Sequence, residues 1–431
     1  MKLLLVQPSR LEDNGTVLKW KRPFHPNLTL SYLAALTPDG VDVDDVDIVD
    51  ERVEEINFNG DYDLIGITAL TNQAPRAYQI ADMFRSRGKR VVMGGIHASV
   101  VPDEAMEHCD AVVSGEAENV WADVLEDFKA GNPKKFYRSE KFHNLKKLPK
   151  PRFDLLNRKD FSSIFVPIQA SRGCPHNCDF CSVTKFFGKS YRFRPVEDVI
   201  KEIKASGAKR FTLVDDNITA NRRYSKELFN ALKPLKIRWI GQSTINLGRD
   251  PELCKLAAES GCYFMGIGIE SVDQENLNNM DKSWNRVTEF PKLLNTIRKN
   301  GVGLVLNIIL GLDHDDERVF EKTLEFLMKN HTFHVILNTP IPYPGTKFAL
   351  RLEREGRLLH KDWSQYTQGN IVFSPKLMSP ECVKAGYWNI LDRFFSYPSV
   401  TKRAFYQSWK NLYYYFRQNI EFGMSVKKRV Y

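Results

Sequence analysis

Twice along this chain, short apolar runs alternate with stretches of helical spacing, and that double alternation most narrows what it can fold into. Strands separated by helices are joined by crossovers rather than hairpins, so they run parallel and are covered on both faces. The first series is LLLVQ (3–7), DVDIVD (45–50), DLIGIT (63–68), RVVMGG (90–95) and DAVVSG (110–115), with helical spacing over 28–36, 75–87 and 119–129. It reads as a Rossmann-like, doubly wound α/β layer over residues 1–130. Residues 131–162 are basic, Pro-containing and aperiodic, and are expected to form a linker. The second series starts at Phe165: FVPIQAS, RFTLVDD, IRWIGQS, CYFMGIGIES, GVGLVLNIILG and HVILNTP, with helical stretches near 196–205, 222–233, 251–259, 285–298 and 316–329. Six β/α units are fewer than the eight of a full barrel, which takes about 250 residues. Residues 163–375 are therefore expected to form a partial (β/α)6 TIM-type barrel, followed by a small helical region at 376–431.

Composition excludes several classes. Gly (25) and Pro (21) make up about a tenth of 431 residues, too little for collagen-like or disordered chains. No apolar run approaches the roughly 18 residues of a membrane span. The opening MKLLLVQPSRLEDNG lacks an apolar signal region and a small-residue cleavage site, so a cytoplasmic protein is expected. The formal charge of +9 suits an anionic partner or a solvated basic surface. No RNA-binding motif accompanies it, and no nucleic-acid partner is expected. Residues 401–431 carry seven Lys/Arg, one Glu and nine aromatics, including Tyr413–Tyr414–Tyr415–Phe416. They are expected either to meet a membrane or lipid substrate peripherally, or to pack onto the barrel.

Three of the seven cysteines fall within SRGCPHNCDFCSV (171–183), directly after the first barrel strand. Thiolates in one tight loop are iron–sulfur ligands, and three of them leave the fourth iron of a cubane open, as catalytic sites require. Zinc with His176 is the competing reading, but no second Cys/His pair follows at zinc spacing. Cys109, Cys254, Cys262 and Cys382 are scattered, as buried small hydrophobes are.

Cys174, Cys178, Phe180 and Cys181 match Cys-x3-Cys-x-aromatic-Cys, and here the chain resembles the radical SAM superfamily. The resemblance implies that Cys174, Cys178 and Cys181 bind a [4Fe-4S] cluster whose open iron chelates S-adenosylmethionine (SAM), with Phe180 near the adenine. Reductive cleavage by a donor such as flavodoxin or ferredoxin then yields a 5′-deoxyadenosyl radical that attacks an unactivated carbon. By the same resemblance, Asp215, Asp216 and Asn217 meet the SAM amino end, although Asp and Asn also begin helices. Gln242 and Ser243 are further polar SAM contacts, Glu270 and Ser271 meet the ribose, and Asn307 with ILGL (309–312) lies near the adenine.

A Rossmann-like layer before such a barrel resembles the cobalamin-dependent subclass. That implies a cobalamin site from Thr68, Ala69, Leu70 and Thr71, from Gly94, Gly95, His97 and Ser99, and from Gly115 and Glu116. No Asp-x-His-x-x-Gly occurs, so cobalamin is expected base-off without a histidine ligand; the alternative is an empty layer kept as a lid. In NTPIPYPGTKF (338–348), Tyr343 and Thr346 are expected on the substrate side, or else the loop is a stiff connector. The expected reaction is methylation of an unactivated carbon of an organic substrate, with a lipid or other hydrophobic anion foremost. One SAM charges the cobalt with methyl and a second supplies the radical. The alternatives are a cobalamin-associated cyclisation or rearrangement, and a non-catalytic cluster–cobalamin sensor.

Overall fold

The structure, a computed structural model, describes residues 1–20, 23, 25–37, 45–156, 161 and 165–429. Parts of the expected linker (157–160 and 162), the expected start of the barrel at 163–164 and the terminal residues 430–431 lie outside the described residues.

Strand β1 (Lys2–Gln7) pairs in parallel with β2 (Asp45–Asp50) on one side and β3 (Leu64–Thr68) on the other. The sheet continues through β4 (Arg90–Gly94), β5 (Ala111–Ser114) and β6 (Phe136–Arg138), giving the order 2-1-3-4-5-6. The near-continuous apolar strands are explained by burial on both faces. Leu4, Val6, Ile65 and Ile67 pack against Ala77, Ile80 and Phe84 of the helix Ala74–Arg85. Leu3, Leu5 and Leu64 pack on the other side with Leu30, Trp121 and Phe128. Strand β6 falls where the sequence reads as linker. Its three residues, FYR, are too short to carry a periodic signal and gain their register only from β5.

The second sheet starts with β7 (Phe165–Ile168), followed by a two-residue antiparallel ribbon of β8 (Ser171–Arg172) and β9 (Arg192–Phe193). Strands β10 (Arg210–Leu213), β11 (Arg238–Thr244), β12 (Cys262–Glu270), β13 (Gly303–Ile309) and β14 (His334–Asn338) complete a six-stranded parallel sheet in the order 14-13-12-11-10-7. Helices on the outside bury one stripe each. In Phe290–Lys299 the stripe is Phe290, Leu293, Leu294 and Ile297, and the last turn carries Arg298 and Lys299 where the helix dipole favours cations.

Three helices close the chain: Pro380–Phe394, Tyr397–Ala404 and Leu412–Lys427. The last one fills the base of the barrel, where the strands begin. Tyr414 packs with Phe165, Ile240 and Tyr263, while Tyr415 and Phe416 pack with Val305 and Phe333. Asn411 and Asn419 donate to the carbonyls of Tyr263 and Phe333, each at 3.0 Å. Arg403, 1% exposed, donates to the carbonyls of Thr332 and Phe394 at 2.8 Å and lies 3.6 Å over the Phe394 ring. Among the described residues no helix is long and apolar enough to cross a membrane.

Candidate active site: two adjoining cofactor pockets

The cysteine loop is pinned at both ends by the β8–β9 ribbon. Gly173 opens it with φ +83°, and a Cβ there would lie 2.2 Å from the Ser190 carbonyl oxygen, so only glycine makes the turn. Cys174, Cys178 and Cys181 are free and partly buried. Burial pushes the Cys178 thiol up to about 12 and Cys181 to about 11; Cys178 also feels Cys181 and Cys174, and Cys181 feels Cys174. Thiols this hard to ionise become thiolates only beside a cation. Three free thiols on one short loop are a donor set that suits an iron–sulfur cluster with one iron left open. His176 is stacked on Trp284 at 4.0 Å and 15°.

The end of β10 divides its three polar residues between two tasks. Asp215, 1% exposed, accepts from the Ala170 amide at 3.2 Å and from the Ser171 hydroxyl, which fixes the entry to the loop. Burial pushes its carboxyl up to about 7. Asp216 acts electrostatically on both Cys174 and Cys181, and burial pushes it up to about 6. Asn217 lies near enough to Cys174 to favour its thiolate. Of the SAM-type positions, Asp216 and Asn217 therefore face the cysteines, and Asp215 braces the loop behind them.

Inside the barrel, Gln242 on β11 and Asn307 on β13 flank Gly266, whose Cβ would lie 3.5 and 3.6 Å from them. Ser243 is turned into a hydroxyl pair with Thr219. Glu270 ends β12 at φ +67°, beside a register shift in the ladder. Such backbone strain in a non-glycine residue marks a position held for a purpose. Its carboxylate accepts from Lys282 at 2.7 Å, and Lys282 is 4% exposed and 5.4 Å over Trp284. Ser271 accepts from the Asp273 amide and shapes the turn into the next helix. Phe180 and the ILGL segment come together: Phe180, Ile309, Gly311 and Leu312 line one small cavity with Pro340. Asp315 holds that segment by accepting from the Gly311 and Leu312 amides at 2.9 and 3.0 Å. Tyr343 is half-buried near Cys181. Thr346 caps the helix Lys347–Arg354 instead of facing a substrate, accepting from the Ala349 amide at 3.2 Å.

A second cavity, of about 460 Å³, lies at the carboxyl ends of β1 and β3, where the strand order reverses. Thr68, Ala69, Leu70, Gly94, Gly95, Gly115 and Glu116, named above for cobalamin, line it together. A Cβ on Gly95, at φ +89°, would lie 2.6 Å from the Thr68 hydroxyl, and one on Gly66 would lie 2.8 Å from Leu5. This bare cradle suits a bulky, flat group. Three expected residues are elsewhere. His97 is buried against Tyr78 (3.0 Å) and Glu104, beneath Trp363, because its helix turns that face inward. Ser99 accepts from the Gly115 amide at 2.8 Å and donates to the Gly95 carbonyl, so it ties the glycine loops together. The Thr71 side chain is buried outside the cavity wall. His25 does line the cavity, with Nδ1 2.9 Å from the Pro26 carbonyl.

The barrel supplies the far wall, which sequence reasoning missed: Gln169, Arg172, Phe186 and Phe187. Arg172 precedes Cys174 by two residues, and the helix Ser182–Phe187 begins directly after Cys181. Arg172 pairs with Glu116 (3.2 Å) and with Glu118, while Arg192 pairs with Glu116 at 2.7 Å. Burial raises the Glu116 carboxyl, but Arg192, Arg172 and the His143 amide outweigh it and hold the group below its ordinary value. One ionic clasp thus joins the glycine loop of the first sheet to the cysteine loop of the second.

Residues 168–327 match the radical SAM superfamily, 22–125 a B12-binding domain, and 346–421 a domain of unknown function. The chain is 32% identical over 419 residues to bacteriochlorophyllide d C-12(1)-methyltransferase of Chlorobaculum tepidum, covering 93% of this chain and 89% of that protein. To the C-8(2)-methyltransferase of the same organism it is 33% identical over 375 residues, covering 83% and 82%. The chain belongs to the cobalamin-dependent radical SAM methyltransferase family. The fold agrees with the radical SAM methyltransferase TsrM of Kitasatospora setae, with a TM-score of 0.70 at 14% identity over 99% of each chain. Members of this family are enzymes whose cofactors are a [4Fe-4S] cluster, SAM and cobalamin, and this chain carries both of the domains concerned.

Proposed function

We propose that this enzyme methylates an unactivated carbon on the periphery of a large, mostly apolar ring system of the tetrapyrrole class. The observation that carries the methyl-transfer reading is the shared wall. The helix that leaves Cys181 ends in Phe186 and Phe187, which line the cavity at the β1–β3 reversal, so the two cofactor pockets adjoin. The cluster supplies the electron that cleaves SAM, and cobalamin supplies a methyl group. The protein's part is positioning and the exclusion of water. Cys174, Cys178 and Cys181 would hold the cluster; Asp216 and Asn217 would orient the amino end of SAM; Glu270, paired with Lys282, would receive the ribose hydroxyls; Phe180 and the 309–312 segment would enclose the adenine. Thr68–Leu70, Gly94, Gly95 and Gly115 bed the corrin. An organic substrate and an external reductant are requirements of the family's chemistry. The tetrapyrrole class is supported by the bacteriochlorophyllide substrates named for both relatives.

The test is anaerobic turnover of the reconstituted holoenzyme with methyl-deuterated SAM and bacteriochlorophyllide d. A product heavier by one labelled methyl, formed with 5′-deoxyadenosine, supports the proposal. 5′-Deoxyadenosine without methylated pigment sinks the substrate class and turns the search to lipids or to cyclisation.

Cobalamin in this cavity would be held without a histidine of this chain. The inward orientation of His97 supports this, and the paramagnetic spectrum of the reduced cobalt tests it. No nitrogen splitting is expected, and His97→Gln and His25→Gln leave the spectrum unchanged. Splitting that disappears in His25→Gln refutes the absence of a histidine ligand, and splitting that persists in both variants comes from the cobalamin's own base and refutes the base-off expectation.

A further inference from the structure

Tyr413 to Phe416 form one aromatic run, yet the fold sends it two ways. Tyr414, Tyr415 and Phe416 enter the barrel base, while Tyr413 points out at 67% exposure. It extends a ridge with Phe405 at 89% and Trp409 at 78%. The three are spaced four residues apart, from the end of the helix Tyr397–Ala404, through a 3-10 turn, into the first turn of Leu412–Lys427. Apolar side chains exposed to this degree in a row are rare on a surface that meets only water.

The ridge is rigidly mounted. The chain beneath it is fixed by Asn411 to the Tyr263 carbonyl, by Arg403 to Thr332 and Phe394, and by Tyr406 stacked on His331 at 3.4 Å. It stands on the face where helices end and strands begin, and that face is cationic. Lys209 precedes β10 and Arg210 opens it over the Tyr414 ring, Lys236 stands two residues before β11 and Arg238 opens it over the Tyr263 ring, and Arg298 and Lys299 end the helix before β13. Two carboxylates of this face and its closing helix, Glu259 and Glu421, are already paired with Lys233 and Arg417.

We propose that the base of the barrel docks peripherally on an anionic lipid bilayer, with Phe405, Trp409 and Tyr413 entering the headgroup region and the surrounding Lys and Arg facing lipid phosphates. Trp and Tyr favour that interface because one part of the ring is apolar and the other polar. Each nearby cation adds attraction to anionic lipid. A bilayer is the occupant that matches a protruding aromatic ridge set in a cationic surround. The reactive mouth at the opposite ends of the strands then faces away from the lipid. This inference is independent of the substrate assigned above.

Flotation of the full-length holoenzyme with vesicles tests it. Binding is expected to phosphatidylcholine vesicles containing phosphatidylglycerol and not to phosphatidylcholine alone, and to weaken at about 1 M salt, where the Debye length is about 3 Å. The triple variant Phe405→Ser, Trp409→Ser, Tyr413→Ser lowers partitioning at least about tenfold. The variant Lys209→Glu, Lys236→Glu acts in the same direction. Unchanged iron and cobalt per chain shows that both variants are folded. Equal binding to both vesicle types, or partitioning unaffected by the triple variant, overturns the proposal. So does absence of vesicle binding together with a solution dimer that the triple variant dissociates, which assigns the ridge to a second copy of the chain.

Discussion

Asp215 braces the cysteine loop with a carboxyl that burial pushes up to about 7 from an ordinary 3.8. The folded protein therefore holds a proton that the unfolded chain has lost between those values. The group's contribution to stability is full below about 4 and declines as pH rises toward 7. The melting temperature of cofactor-free protein should carry this decline, and Asp215→Asn should make its pH slope shallower between pH 5 and 7. An identical slope in the variant would show that another group sets it. The asparagine keeps an acceptor for Ser171 and Ala170, so its expected effect is on the slope more than on the fold. At this scale the sequence told which residue types stand at the strand ends but not where they point. His97 and Thr346 occupy their expected places in the chain. Their directions are set by Tyr78, Trp363 and the Lys347–Arg354 helix, and no local motif encodes those neighbours.

The closing helix shows what an element adds to its residues. Tyr415 is fully buried and donates to the Val400 carbonyl at 2.7 Å, whereas Tyr413 is mostly in solvent. Tyr415→Ala should cost about 3–5 kcal/mol by denaturant unfolding, as for other large aromatics lost from a core. Tyr413→Ala should stay within about 0.5 kcal/mol. Equal costs would mean that the run is not divided between core and surface. The strands of both sheets were legible because their apolar runs are long and bounded by turns. Strand β6 and the division of the aromatic run were not: the one is three residues long, and the other depends on how the helix is rotated against the barrel.

At the scale of the molecule, the two sheets are joined by Glu116, Glu118, Arg172 and Arg192. Arg172→Ala leaves two buried carboxylates short of a partner, a loss of about 3–5 kcal/mol. Unfolding should then separate into two steps, followed by intrinsic fluorescence and by the visible absorbance of bound cofactor. A single transition at the wild-type midpoint would show that the clasp is dispensable. Glu116 was expected to meet cobalamin and does line that cavity; its pairing with the barrel was illegible because the partners lie 56 and 76 residues away. The plugged base of the barrel has a consequence for traffic. With the closing helix packed across the ends where the strands begin, SAM and its fragments would come and go at the ends where the strands finish, the side that carries the cysteine loop.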